Sequence, residues 1–298
     1  MSNLFEALKR ADGLIPQAEL QALLEGQVEN GHAPIPPLSV PDTRVPAPEA
    51  DYFREAVSSA RPALLRVAPT APILPFDGSH WGAGEMYRMV RTKINQHPKA
   101  PQILVVTSAG PSDGKTVTAI NLAGALALKN DAPVLFIDGD FRRSTACTQL
   151  GLATTPGLAE VLTGAAILHE ALVRAQQIPS LYVLPAGKAA VNPAELLDSS
   201  LWRKLIEFAR AQFKYVIIDS PPIGAVTDYE VIQDVCDGAI LVVRPDHTDR
   251  QLCFKALSLI PKDKLLGVVL NCVDNWFLNR EGRYGAYYHY GAGVNQRA

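Results

Sequence analysis

Three apolar runs, each ending in polar residues, constrain this chain more than any other feature. In order they are ILVVTSAGPSDGKT at 103–116, VLFIDGDFR at 134–142 and YVIIDSPP at 215–222. The first carries Ala-x-x-x-x-Gly-Lys-Thr from Ala109 to Thr116, the Walker A spacing, directly behind an apolar stretch. A loop of that kind between strand and helix turns backbone N–H groups toward phosphate. The other two runs each end in an aspartate. A nucleotide with magnesium needs a backbone cradle, one lysine, one hydroxyl and one or two carboxylates. All are present in a workable order, which implies a chain that binds ATP and transfers its γ-phosphate.

The rest of the pattern says what frame holds these parts. Strands are predicted at 102–107, 133–138, 181–185, 214–219, 239–243 and 266–271, and helices at 114–129, 157–163, 199–212, 228–236 and 249–259. Continuous apolar strands such as VLFI suit a parallel sheet buried on both faces. Their alternation with helices predicts a doubly wound, mainly parallel α/β fold. Ligands of such sheets sit at the carboxyl ends of the strands. Thr107, Asp138, Asp219 and Asn271 each end a predicted strand and are expected on one edge.

Composition sets the outer limits. With 48% hydrophobic residues in 298, the chain can bury a sizeable core. A formal charge of −2 gives no electrostatic reason to expect nucleic acid or an acidic membrane as partner. Cys147, Cys236, Cys253 and Cys272 are far apart with no C-x-x-C, and read as buried free thiols. No apolar run approaches the about 18 residues of a membrane span. Glu6 and Lys9 near the start read as neither signal peptide nor anchor. The expected location is the cytoplasm, with recruitment to the inner face of the membrane only through a partner.

Four regions are expected. Residues 1–30 form an N-terminal helical segment in which Leu4, Phe5 and Leu8 fall at helical spacing. It reads equally as a docking peptide or as a helix packed on its own domain. Residues 31–78 are rich in proline, which blocks both helix and sheet ladders, and read as an extended linker. Residues 79–276 form the P-loop domain and 277–298 a flexible tyrosine-rich tail.

Within the domain, Gly110, Pro111, Ser112, Asp113, Gly114, Lys115, Thr116 and Val117 form the expected nucleotide cradle. Lys115 is expected on the β- and γ-phosphates and the Thr116 hydroxyl on magnesium. Asp138 and Asp140 are two apart and face one side if the strand pitch continues. Together they suit a water-ligated magnesium, and one can accept a proton. That matters for a tyrosine acceptor, whose pKa of about 10 keeps it protonated at neutral pH. Asp-Gly-Asp is also ordinary turn chemistry. Asp219 stands at the Walker B position, and Asn271 reads either as an adenine contact or as a turn former. In GEMYRMVRTKINQ (84–96), Tyr87, Val90 and Ile94 share one helical stripe, with Glu85, Arg88 and Arg91 on the neighbouring flank. The tail packs Tyr284, Tyr287, Tyr288 and Tyr290 into seven residues. An even spread of the tyrosines would give about 0.2 per window of that length. The cluster reads as an exposed flexible segment, an aromatic patch or an edge strand.

Together these motifs resemble the bacterial tyrosine kinases (BY-kinases) of polysaccharide synthesis in their stand-alone cytosolic form, over roughly Gly84 to Gly293. TSAGPSDGKT looks like their Walker A, IDGDFR their Walker A-prime and IIDSPP their Walker B. The resemblance implies a P-loop NTPase fold of the MinD/ParA-like type, with ATP and Mg2+ as cofactors. Nucleotide, magnesium and catalysis then fall to Lys115, Thr116, Asp138, Asp140 and Asp219. It also implies tail autophosphorylation between subunits, and control of exopolysaccharide or capsule synthesis and export. The spacing Glu85, Arg88, Arg91 matches the family's contact for ring-shaped homo-oligomers. Implied partners are a transmembrane polysaccharide co-polymerase as activator and a cognate phosphotyrosine phosphatase. Two positions depart from the pattern: Ser112 stands where glycine is usual and Asp113 where glutamate is usual. Two rival readings are a ParA/MinD-like ATPase and a non-catalytic nucleotide-dependent scaffold. The first usually carries a second lysine where this chain has Gly110.

Overall fold

The apolar runs form the centre of a single sheet in a computed structural model that describes residues 56–67, 81–128, 133–188, 190 and 192–273. The N-terminal helical segment and the tyrosine-rich tail lie outside the described residues. The strands are β1 (Arg61–Ala63), β2 (Ile103–Ser108), β3 (Val134–Asp138), β4 (Val173–Ala175), β5 (Leu181–Leu184), β6 (Tyr215–Asp219), β7 (Gly238–Val243) and β8 (Leu265–Leu270). Their order is β1-β4-β5-β3-β6-β2-β7-β8. Every neighbouring pair runs parallel except β4 with β5.

Each residue of β2, β3, β6 and β7 is buried, as apolar strands with two covered faces must be. On one face pack α1 (Trp81–Asn95), α2 (Lys115–Ala127) and α3 (Ala146–Leu150). On the other pack α4 (Leu158–Leu162), α5 (Leu168–Ala171), α6 (Pro193–Leu197), α7 (Ser200–Gln212), α8 (Asp228–Asp234) and α9 (Arg250–Leu259). Sequence dictates how they pack. In α7 the residues Trp202, Leu205, Ile206 and Ala209 recur at helical spacing and are buried. Ser199 caps that helix by accepting from the Trp202 N–H at 3.2 Å. In α1 the predicted stripe is the packed one: Ile94 is buried, and Tyr87 and Val90 lie against the same core.

All six predicted strands and all five predicted helices form within two residues of their expected bounds. The short elements β1, β4, α3, α5 and α6 were not anticipated, because three to five residues carry too little periodicity to read. The linker expected over 31–78 needs correction at residues 56–67. Arg61–Ala63 pairs in parallel with Val173–Ala175 at the sheet's edge. An edge strand tolerates Pro62 because one side of it carries no ladder. Beyond the strand, the Gln177 side chain grips the Leu65 backbone in both directions, at 3.1 and 2.7 Å. Ala56, Ala60 and Leu65 are buried. Leu65→Ala should therefore destabilise the protein by about 2–4 kcal/mol, the cost of emptying a buried leucine site. Denaturant unfolding of the full chain checks this, and a loss below about 0.5 kcal/mol, the scale of a surface change, would contradict the packing.

Candidate active site

Parallel register brings the predicted residues to one edge. Asp138 ends β3 opposite Asp219, which ends β6 opposite Val106 of β2. The chain then turns at Gly139, whose N–H donates to the Asp219 carbonyl at 2.9 Å. A Cβ here would lie 2.8 Å from that same carbonyl oxygen, so only glycine lets the two motifs approach this closely. After the turn, Asp140 accepts from the Arg143 N–H at 3.0 Å while its own N–H donates to Asp138 at 3.2 Å. Asp-Gly-Asp is therefore a turn, and the same turn sets two carboxylates at the sheet's end.

The phosphate loop runs from β2 to α2, with Pro111 and Ser112 exposed and Val117 in the first turn of the helix. Ser112 has φ 65° and Gly114 φ 93°. Serine thus occupies the left-handed conformation that glycine would adopt freely, which is the backbone demand its unusual identity implied. Gly110 differs from expectation: its N–H donates to Asp113 Oδ2 at 2.8 Å and so is not offered to phosphate. Asn271 also differs. Its Nδ2 donates to the Asp113 carbonyl at 2.9 Å, so the amide holds the loop.

Lys115 and three acids form the centre. Lys115 Nζ pairs with Asp140 Oδ2 at 2.7 Å, and Thr116 Oγ1 donates to Asp219 Oδ2 at 2.6 Å. Ser144 Oγ donates to Asp138 Oδ2 at 2.7 Å. Burial pushes Asp138 up to about 6 and Asp219 up to about 7. Burial opposes charge on Lys115, but Asp219, Asp140 and Asp138 outweigh it and hold the ammonium above its ordinary range. Asp219 Oδ1 is buried with no hydrogen-bond partner. An orphaned carboxylate oxygen beside a threonine hydroxyl and two further acids fits a hard, water-bearing cation. Among the described residues no three His, Cys, Asp or Glu side chains form a metal cage. Magnesium beside a nucleotide needs none, since it keeps waters and takes phosphate oxygens.

Sequence reasoning overlooked Arg142, Asp228 and Thr248. Arg142 straddles the fully buried Asp228 with Nε at 2.9 Å and Nη2 at 3.2 Å, tying the segment after β3 to the start of α8. The arginine two places after Asp140 was the available signal. Within the single chain the predicted interface residues take different partners. Glu85 pairs with Arg88 on the exposed side of α1, while Arg91 Nη1 donates inward to the Ala125 carbonyl at 2.8 Å. The four tail tyrosines lie outside the described residues. All four cysteines are free, but only Cys147 and Cys236 are buried; Cys272 is exposed just past β8, where apolar sequence no longer implies burial.

A phosphate loop at the end of a parallel sheet, faced by two acid-bearing strand ends, defines a P-loop nucleotide-binding enzyme. Residues 102–247 match the family described as an AAA domain. The chain is 37% identical over 207 residues to the tyrosine-protein kinase YwqD of Bacillus subtilis (strain 168), spanning 68% of this chain and 85% of that one. Its fold matches the crystal structure of the chimerical protein CapA2B2 with TM-score 0.65 and 29% identity, over 76% of this chain and 99% of the other. It matches the kinase domain of Escherichia coli tyrosine kinase ETK with TM-score 0.59 and 30% identity, over 64% and 76%. The chain belongs to the bacterial tyrosine-protein kinases, on a P-loop fold of the MinD/ParA type.

The raised carboxyls link this site to pH. An acid whose folded pKa exceeds its unfolded value of about 4 keeps protons that the unfolded chain has released, so stability falls as pH rises from about 4 through about 7. Asp219→Asn removes that burden. Relative to the parent, it should gain thermal stability between about pH 5.5 and pH 8 in the absence of nucleotide. Melting curves at stepped pH check the sign, and parallel curves for the two proteins would contradict it.

Proposed function

We propose that Lys115, Thr116, Asp138, Asp140 and Asp219 carry ATP, magnesium and phosphoryl transfer to tyrosines of the chain's own tail. The single observation that supports this is the lysine–acid cluster at the mouth of the phosphate loop, with one carboxylate oxygen unpartnered. Thr116, Asp138, Asp140 and Asp219 are the residues that would hold magnesium. Bound there, the cation would neutralise charge on the β- and γ-phosphates. Lys115 exchanges its Asp140 partner for phosphate oxygens when nucleotide enters. The acceptor hydroxyl of Tyr284, Tyr287, Tyr288 or Tyr290 attacks the γ-phosphorus, and the bond to the β–γ bridging oxygen breaks. The tyrosine proton passes to a carboxylate, and Asp138, made more basic by burial, suits that task. Lys115 meets the charge that gathers on the departing ADP.

Resemblance to the family extends the proposal to the cell. Subunits assemble into a ring through Glu85, Arg88 and Arg91, and each tail enters a neighbour's site. A transmembrane polysaccharide co-polymerase activates the kinase at the inner face of the membrane, and a phosphotyrosine phosphatase resets it. The cycle then regulates exopolysaccharide or capsule synthesis and export. Charge pairs at a surface contribute little energy by themselves, so the ring rests on the family spacing.

Three experiments test this. Lys115→Met with an intact tail is mixed with active protein lacking residues 281–298, in the presence of ATP, magnesium and the activator. Phosphotyrosine on the lysine variant is expected only in the mixture, and its absence there would refute transfer between subunits. Lys115→Met alone should lose at least about a hundredfold in rate, the scale of removing a preorganised charge at the reacting centre. Replacing Glu85, Arg88 and Arg91 with alanine should give a nucleotide-binding monomer by native mass spectrometry; an unchanged oligomer would exclude that interface.

A further inference from the structure

A carboxylate inside a phosphate loop repels the ligand unless it is turned away and satisfied elsewhere. Asp113 is buried and has both oxygens occupied. Oδ2 accepts from the Gly110 N–H at 2.8 Å, which curls the loop upon itself. Oδ1 accepts from Thr248 Oγ1 at 2.7 Å. Thr248 lies between β7 and α9 in a segment closed by its own bonds. Arg244 N donates to Thr248 Oγ1 at 2.9 Å, and Thr248 N donates to the Arg244 carbonyl at 2.8 Å. From a third direction, Asn271 pins the Asp113 carbonyl and is itself fixed by its N–H on the Val243 carbonyl at 2.9 Å.

We propose that Thr248 is a positioning residue for nucleotide binding: through Asp113, and together with Asn271, it holds the phosphate loop in its binding shape from behind. This rests on the reading of 109–116 as the phosphate loop. Ser112, a residue with a side chain, sits at positive φ, so the loop's shape is costly for an unsupported chain. A loop that spends less time in the competent shape binds in proportion to the remaining fraction. Losing the Thr248 hydroxyl also leaves a buried carboxylate oxygen without a donor, which drives Asp113 outward toward water and the phosphates. The brace joins the loop to two distant parts of the chain, the approach to α9 and the end of β8.

The experiment titrates full-length protein with a fluorescent ADP analogue and measures ATP kinetics alongside. Thr248→Val should weaken binding about tenfold, and Thr248→Ser should restore it to within about twofold. The loss should fall on KM for ATP more than on kcat. A merely structural role would lower the melting temperature and the active fraction but leave Kd unchanged, and that result overturns the proposal. In an Asp113→Ala background Thr248→Val should cost nothing further, and an undiminished second loss also overturns it. Lys115→Met separates this proposal from the one it rests on. If Lys115→Met binds poorly and Thr248→Val binds normally, only the brace fails; if both bind normally, the phosphate-loop reading fails as well.

Discussion

One ammonium among three carboxylates is the constraint around which this fold is arranged. Asp138, Asp140 and Asp219 converge because parallel strands must end together, and each is removed from water by the sheet that delivers it. Like charges buried this closely cost free energy unless a cation, a proton or a hydrogen bond answers them. Lys115 answers in part and burial-raised pKa values answer in part. Thr116 and Ser144 supply the remaining donors. The site thus holds buried like charge that a bound cationic group would relieve, and relief of that kind is what makes a ligand stabilise the form that binds it.

Much of the fold was legible because its period is strong. The central strands are unbroken apolar runs, and α7 and α1 show one clean stripe each, so burial follows directly from pattern. Edge elements were not legible for the opposite reason. Residues 61–63 form a strand through main-chain bonds to β4, and no side-chain pattern marks them; the surrounding prolines argued for a linker. The carboxylates were found because a strand end followed by aspartate is a local signal. Their partners were not, because Arg142 with Asp228 and Asp113 with Thr248 are 86 and 135 residues apart in sequence. Asn271 shows the limit of reading a residue type: its place at the strand end was correctly expected, but its amide binds the loop backbone.

The departures at Ser112 and Asp113 acquire a common explanation from the loop's geometry. Serine at positive φ is strained, and the strain persists only where neighbours over-determine the backbone. Asp113 is short enough to reach back three residues to the Gly110 N–H while meeting Thr248 on its other oxygen. The unusual serine thus sits beside an acid whose bonds on both sides restrain the same turn.

The edge strand β1 has a consequence for where the chain can be held. Polypeptide enters the sheet at β1 and leaves it after β8, and these are the outermost strands on opposite sides. Seven inter-strand steps separate them, roughly 30 Å at ordinary sheet spacing. The two ends of the described domain, at residue 56 and residue 273, therefore stand at opposite margins of the edge that carries the acids.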